Sequence, residues 1–222
     1  MHSPGNITYG LASGGSEDNH VLQISLDESD SLEFSDNAGP TYANQIATTD
    51  VLSFGTYRIK AKAAGCENAD EEVITGIFVY SYGGDTNSNG MTDNNEIDIE
   101  IACSAPWMIY LTIWTDYEDE DHYLNVTNEI DMREFQEDFN AVENFYEMGF
   151  EWHPDEVRYF IVLGGEEITL WDYTDEDFIP QNGAQFMLNL WHSDEKWDGS
   201  GAGDYPKSDT SLYVDRFEYW SE

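Results

Sequence analysis

Apolar and polar residues alternate along this chain in short runs broken by Gly, Asp, Asn and Pro. Residues 21–26 read Val-Leu-Gln-Ile-Ser-Leu, and the stretch from Gly55 to Ala63 alternates through Thr-Tyr-Arg-Ile-Lys-Ala-Lys-Ala. Side chains of an extended strand point to opposite faces in turn, so each run predicts a strand with one buried face. Residues 73–82 form a longer apolar and aromatic strand, and further strands are predicted at 107–115, 145–152, 157–163, 167–173, 185–191 and 212–220. Gly164-Gly165 predicts a hairpin turn, and Pro106 interrupts the chain before 107–115 runs back antiparallel. Residues 83–95 predict a turn-rich loop, and 116–140 an acidic loop with a short helix near 129–140. Helical periodicity is otherwise nearly absent, and no repeat or linker divides the chain. The pattern predicts an all-β antiparallel sandwich, one domain over residues 1–222.

One run stands apart. Residues 95–104 read Asn-Glu-Ile-Asp-Ile-Glu-Ile-Ala-Cys-Ser, which puts Glu96, Asp98 and Glu100 on one face and Ile97, Ile99 and Ile101 on the other. The isoleucines need a core, and the carboxylates need water, a metal or a substrate. Three acids side by side repel one another, which raises at least one pKa toward the range of a general acid. In so acidic a chain such spacing also arises by chance about a couple of times. It recurs at Asp116, Glu118 and Glu120, but Tyr117, Asp119 and Asp121 interleave there, leave no apolar face, and read as a solvated turn.

Composition narrows the partners. With 46 Asp+Glu against 8 Lys+Arg the net charge is −38, which excludes nucleic acid and disfavours anionic membranes and anionic polysaccharides. A neutral ligand fits. Such self-repulsion is relieved by screening, so a salt-rich habitat is expected, with adaptation for solubility or for acid conditions as rival readings. Aromatic residues at 14% argue against disorder. Cys66 and Cys103 are too few for a disulfide scaffold and lack metal-type spacing; they pair or remain free thiols. The scattered histidines form no zinc motif, no apolar run approaches membrane-spanning length, and no signal peptide is visible.

The segment Glu96-Ile97-Asp98-Ile99-Glu100 resembles the active-site signature of glycoside hydrolase family 16, the retaining β-glucanases. Other segments agree in that family's order. Phe54-Gly55-Thr56-Tyr57-Arg58-Ile59-Lys60 and Thr75-Gly76-Ile77-Phe78-Val79-Tyr80 are similar to two of its strands, the second lining the cleft. Phe150-Glu151-Trp152-His153-Pro154 is similar to its Phe-x-Trp-x-Pro segment, Met187-Leu188-Asn189-Leu190-Trp191 to Met-x-Asn-Leu-Trp, and residues 213–219 to the closing strand. The resemblance implies a concanavalin A-like β-jelly-roll with a concave sugar cleft. The row has no extra residue before Glu100, the form typical of lichenases and xyloglucan transglycosylases; laminarinases usually insert one. It therefore points to a lichenase-like β-1,3-1,4-glucanase.

By the same resemblance Glu96 is the nucleophile, Glu100 the acid/base, and Asp98 a hydrogen-bond partner of Glu96. The two glutamates must lean toward each other over Asp98 to reach the roughly 5–5.5 Å separation of a retaining pair. Sugar faces need aromatic platforms and their hydroxyls need polar groups. Phe78, Tyr80, Trp114, Asn189 and Trp191 are expected around the row, with Trp197 at its rim. Asn94 and Thr112 stand where the family usually has other residues and mark altered subsites. Arg58 and Lys60 share one strand face and are expected to offset the acids and contact hydroxyls. No catalytic cofactor is implied. A structural Ca2+ is, with Asp215 among its ligands. The expected whole is a secreted monomer acting on a neutral polysaccharide. A laminarin-type β-1,3-glucanase, a transglycosylase and a non-catalytic glycan-binding module on the same fold are the rival readings; crowded carboxylates bring the last no advantage.

Overall fold

Alternation sorts the residues into layers. In β4 (Gly55–Lys62) Tyr57, Ile59 and Ala61 are buried while Arg58, Lys60 and Lys62 point the other way. The computed structural model describes residues 7–10, 21–26, 43–85, 90–119, 122–175 and 178–222. Besides β4, its strands are β1 (Ile7–Gly10), β2 (Val21–Leu26), β3 (Ala43–Ala47), β5 (Val73–Tyr82), β6 (Thr92–Ala102), β7 (Met108–Asp119) and β8 (His122–Asp131). Then come β9 (Tyr146–Trp152), β10 (Val157–Leu163), β11 (Glu166–Tyr173), β12 (Gln185–His192) and β13 (Thr210–Ser221). They form two antiparallel sheets, a seven-stranded one in the order β1-β2-β13-β4-β9-β10-β11 and a six-stranded one in the order β3-β12-β5-β6-β7-β8. This is the predicted sandwich.

The core lies between the sheets. Ile97, Ile99 and Ile101 of β6 meet Ile109, Leu111 and Ile113 of β7, and opposite them stand Tyr57, Ile59, Phe150 and Tyr159. Each such side chain contributes about 1.5–3 kcal/mol on burial, so the isoleucines hold β6 in its register. Ile97 is 0% exposed and Ile99 and Ile101 are each 2%. A one-residue slip would bury the acids instead. Tyr159 reaches across the layers and donates its hydroxyl to the Thr112 carbonyl at 2.9 Å, pinning β7 from behind.

Several expectations change. Strand β6 starts at Thr92, so the loop after Gly83 is shorter than residues 83–95. The acidic stretch 116–140 is mostly a hairpin of β7 and β8, and the expected helix shrinks to one 3-10 turn at Met132–Glu134. Asp116 is 6% exposed and belongs to a strand, whereas Glu120 and Asp121 lie outside the described residues. The sequence hides β8 because it is an edge strand of its sheet. Edge strands carry polar residues that discourage pairing with other chains, and this imitates a loop. Strands β1 and β3 were not expected either. Cys66 and Cys103 form a disulfide with Cα atoms 5.4 Å apart, which ties the loop before β5 to the end of β6.

Candidate active site

Glu96, Asp98 and Glu100 stand in a row on the outer face of the six-stranded sheet, as the isoleucine backing requires. On one side β5 places Tyr80, Phe78 and Gly76 opposite them in that order; on the other, β7 places Trp114, Thr112 and Tyr110. Pairing is unbroken from Glu96 to Glu100 on both sides, and the irregularity in β6 lies earlier, between Asp93 and Glu96. The row thus has no bulge within it.

Burial is the largest influence on all three carboxyls, since a charge loses solvation when water is excluded. It pushes Glu96 to about 7, against hydrogen bonds from Asn94 and Asp98 that pull downward. Glu100 also reaches about 7, through burial and the Glu96 charge, while a hydrogen bond from Trp191 opposes the rise. Asp98 is raised well above the ordinary carboxylate range by burial and by both glutamates, with the Trp114 indole pulling the other way. Near neutral pH the row therefore shares protons, and it loses them as a set.

Two indoles orient the acids. Trp114 donates its Nε1–H to Asp98 Oδ2 at 2.9 Å, and Trp191 donates to Glu100 Oε1 at 3.3 Å. Asn189 lies across β5 from Glu100 because position 76 is glycine; a Cβ there would stand 2.2 Å from Asn189 Oδ1. That oxygen is buried and has no hydrogen-bond partner among the described residues. Trp197, in the connection from β12 to β13, sets its ring edge-on to Trp191 at 5.6 Å and to Tyr110 at 4.9 Å. Phe78, Asn94 and Thr112 flank the row but are buried, so they support it more than they offer open surface. Tyr80 remains partly exposed beside Glu96.

Arg58 and Lys60 do not join this site. They project from the outer face of the seven-stranded sheet, on the far side of the core. Arg58 pairs with Glu147 at 2.7 Å and Glu167 at 2.5 Å. Lys60 pairs with Asp215 at 3.1 Å. Among the described residues no cation offsets the charge at the three carboxyls. The two side chains share a face of β4, and that face belongs to the other sheet.

The same pair corrects the calcium expectation. Calcium takes about 6–8 oxygen ligands and neutralises their charge. The Asp215 side chain is 3% exposed and already faces an ammonium. Among the described residues a divalent ion at Asp215 would have to displace Lys60, so this pair as it stands does not fit a calcium site. Melting temperature is expected to stay within about 1 °C on adding Ca2+ or EDTA, since only binding to the folded state shifts stability. A chelator-induced drop in a calorimetric scan would count against this.

Sequence reasoning missed Tyr110 and Gln45. Tyr110 stands opposite Glu100 and donates its hydroxyl to the Trp197 carbonyl at 3.3 Å. Gln45 of β3 pairs with Asn189 and extends the same face. The i+2 period from Trp114 through Thr112 would have found Tyr110; nothing in the sequence marked β3.

The family model for glycosyl hydrolases family 16 matches residues 5–209. A beta-glucanase of Acetivibrio thermocellus is 24% identical over 155 residues, covering 68% of this chain and 38% of that protein. The chain spans less than half the length of the curated relatives it matches. Among solved structures, a prokaryotic β-1,3-1,4-glucanase (lichenase) from a mouse hindgut metagenome superposes with a TM-score of 0.60 at 20% identity, covering 99% of this chain and 94% of that one. The laminarinase catalytic domain of Thermotoga maritima MSB8 gives 0.64 at 14% identity, with 100% and 82% covered. These two structures share the fold.

Proposed function

This chain belongs to glycosyl hydrolases family 16, and on that premise we propose that it is a retaining endo-β-glucanase cleaving mixed-linkage β-1,3-1,4-glucan. The observation that carries the reading is the unbroken Glu96–Asp98–Glu100 register, with both glutamates held near 7 by burial. A regular row is the form that the resemblance ties to lichenases and xyloglucan transglycosylases, and not to laminarinases. Ionised Glu96 attacks the anomeric carbon as protonated Glu100 gives its proton to the departing glycosidic oxygen, leaving a glycosyl ester on Glu96. Glu100, now ionised, takes a proton from water; the hydroxide attacks the same carbon, frees Glu96, and the product keeps the β configuration. Asp98, hydrogen-bonded to Glu96 and held by Trp114, keeps the nucleophile oriented. Trp191 and Trp197 offer flat faces to sugar rings, and the unfilled Asn189 oxygen accepts a sugar hydroxyl.

Reducing-sugar release from barley glucan, lichenan, laminarin and xyloglucan tests this. Release from the first two is expected. Release from laminarin alone would overturn the linkage, chain redistribution without net hydrolysis would identify a transglycosylase, and inertness toward all four would favour a binding module.

Other properties follow as part of the proposal. The disulfide suits a secreted protein, and the charge of −38 suits a salt-rich medium and a neutral polymer. Raising NaCl from about 0.1 M to about 2 M is expected to increase the melting temperature by several degrees, as the Debye length contracts from about 10 Å to under 3 Å. A salt-independent melt would sink the halophilic reading.

A further inference from the structure

Glu72, the residue before β5, lies outside the row and is 0% exposed. One carboxylate oxygen accepts from the Ser104 hydroxyl at 2.9 Å and from the Trp197 backbone N–H at 3.0 Å. The other oxygen is buried with no hydrogen-bond partner among the described residues. Its backbone is gripped as well: the N–H donates to the Asp204 carbonyl at 2.9 Å, and the carbonyl accepts from Ser193 N–H at 3.3 Å. The His192 ring nitrogen Nδ1 lies 3.2 Å from the same carbonyl. A Cβ on Gly203 would come within 2.6 Å of Glu72 Cβ, so the connection between β12 and β13 closes tightly around this one residue.

That connection carries Trp197, whose ring contacts Trp191 and Tyr110, and Trp191 in turn donates to Glu100. Ser104 sits just beyond the C-terminal end of β6, next to the disulfide. Glu72 therefore joins the end of the acidic strand to the loop that builds the aromatic wall. A buried carboxylate with an unfilled oxygen costs stability unless its remaining bonds are worth keeping. Long connections without regular structure are mobile unless something fixes them.

We propose that Glu72 is a positioning residue: its buried carboxylate fixes Trp197 and, through Trp191, sets the aromatic wall against Glu100, so that it governs sugar binding on that side of the row. This rests on the glucanase reading for its kinetic consequence only; the fixing of Trp197 can be measured without substrate.

Glu72→Ala and Glu72→Gln test it together. The glutamine keeps an oxygen able to accept from Trp197 and Ser104, whereas alanine keeps nothing. In Glu72→Ala, tryptophan emission is expected to shift to the red and acrylamide quenching to rise, with a cooperative melt retained; Glu72→Gln should match the parent protein in both. On mixed-linkage oligosaccharides Glu72→Ala is expected to raise KM about five- to tenfold, the loss of one aromatic contact, with kcat changed less. The alkaline limb of its kcat/KM profile should move to higher pH, because a loosened Trp191 no longer favours ionised Glu100. Placed on a Trp197→Ala background, Glu72→Ala should add little to KM.

Unchanged fluorescence and quenching in Glu72→Ala overturn the proposal, as does a Glu72→Gln variant as impaired as the alanine. An additive effect on the Trp197→Ala background also overturns it. If the parent protein cleaves no glucan while the two variants still differ in quenching, the glucanase reading fails and the positioning role stands.

Discussion

Glu96→Gln is expected to lower kcat on barley mixed-linkage glucan by about 10⁴-fold or more, the scale of losing a group that acts in every turnover. In the proposed mechanism the amide cannot form the glycosyl ester, and no other carboxylate of the row takes its place: Glu100 serves the leaving oxygen there, and Asp98 is held by Trp114. Glu100→Gln is expected to cost about 10²–10⁴-fold on the polysaccharide, the usual worth of a general acid. The two differ when the leaving group needs no proton. With an activated aryl oligosaccharide Glu100→Gln should recover most of its first-step rate, seen as a burst of aryl release, while Glu96→Gln stays inactive. Recovery by Glu96→Gln alone would reverse the two roles. Turnover within about tenfold of the parent by both variants would remove the row from the chemistry altogether.

The pH profile follows from the same site. In the proposed mechanism activity needs Glu96 ionised and Glu100 protonated, and burial pushes both to about 7. On the acid side the row gains the proton that silences the nucleophile; on the alkaline side it loses the one the leaving group requires. The limbs are those of a coupled set, so kcat/KM should peak narrowly near neutrality. Because the Glu96 charge raises Glu100, Glu96→Gln should lower the Glu100 titration midpoint in a carboxyl-labelled NMR titration.

Much of this was legible in the residues because a strand writes its geometry as a period of two. Ile97, Ile99 and Ile101 declared a core face, and their register forced Glu96, Asp98 and Glu100 outward whatever lay around them. The decoy at Asp116 had no such backing, yet Asp116 is buried in a strand, since local bulges re-aim side chains where alternation fails. The period says which residues share a face but not which sheet they belong to. Arg58 and Lys60 alternate as cleanly as the acids and lie on the far side of the molecule, because strand order in a sandwich is set by pairing between distant segments. Glu72 was invisible for the same reason. Glu72 and its partners Ser104 and Trp197 lie in three separate connections between strands.

At about pH 8, Glu100→Gln is expected to be more stable than the parent by about 3 kcal/mol, even as it loses activity. An unfolded glutamate titrates near 4.5, and the folded one near 7. A raised carboxylate pKa means that the folded state binds the proton more tightly, so stability is lost as pH rises from the lower value to the upper. Above both, the whole penalty is present; below both, it vanishes. Two and a half pH units at about 1.4 kcal/mol each give about 3.5 kcal/mol, an upper bound rounded down to the figure quoted because the three carboxyls share the strain. In a domain of this size that corresponds to roughly 6–12 °C in melting temperature. The amide keeps an oxygen for the Trp191 N–H and carries no charge to repel Glu96, so the substitution removes cost without opening a cavity. Comparing the two proteins at each pH cancels the titration of the chain's many other acids. Calorimetry should show the gap shrinking to nothing near about pH 4, where the parent carboxyl is protonated in both states. A variant that melts no higher than the parent at about pH 8 would show that the row is not strained, and that its acids titrate as ordinary surface carboxylates do.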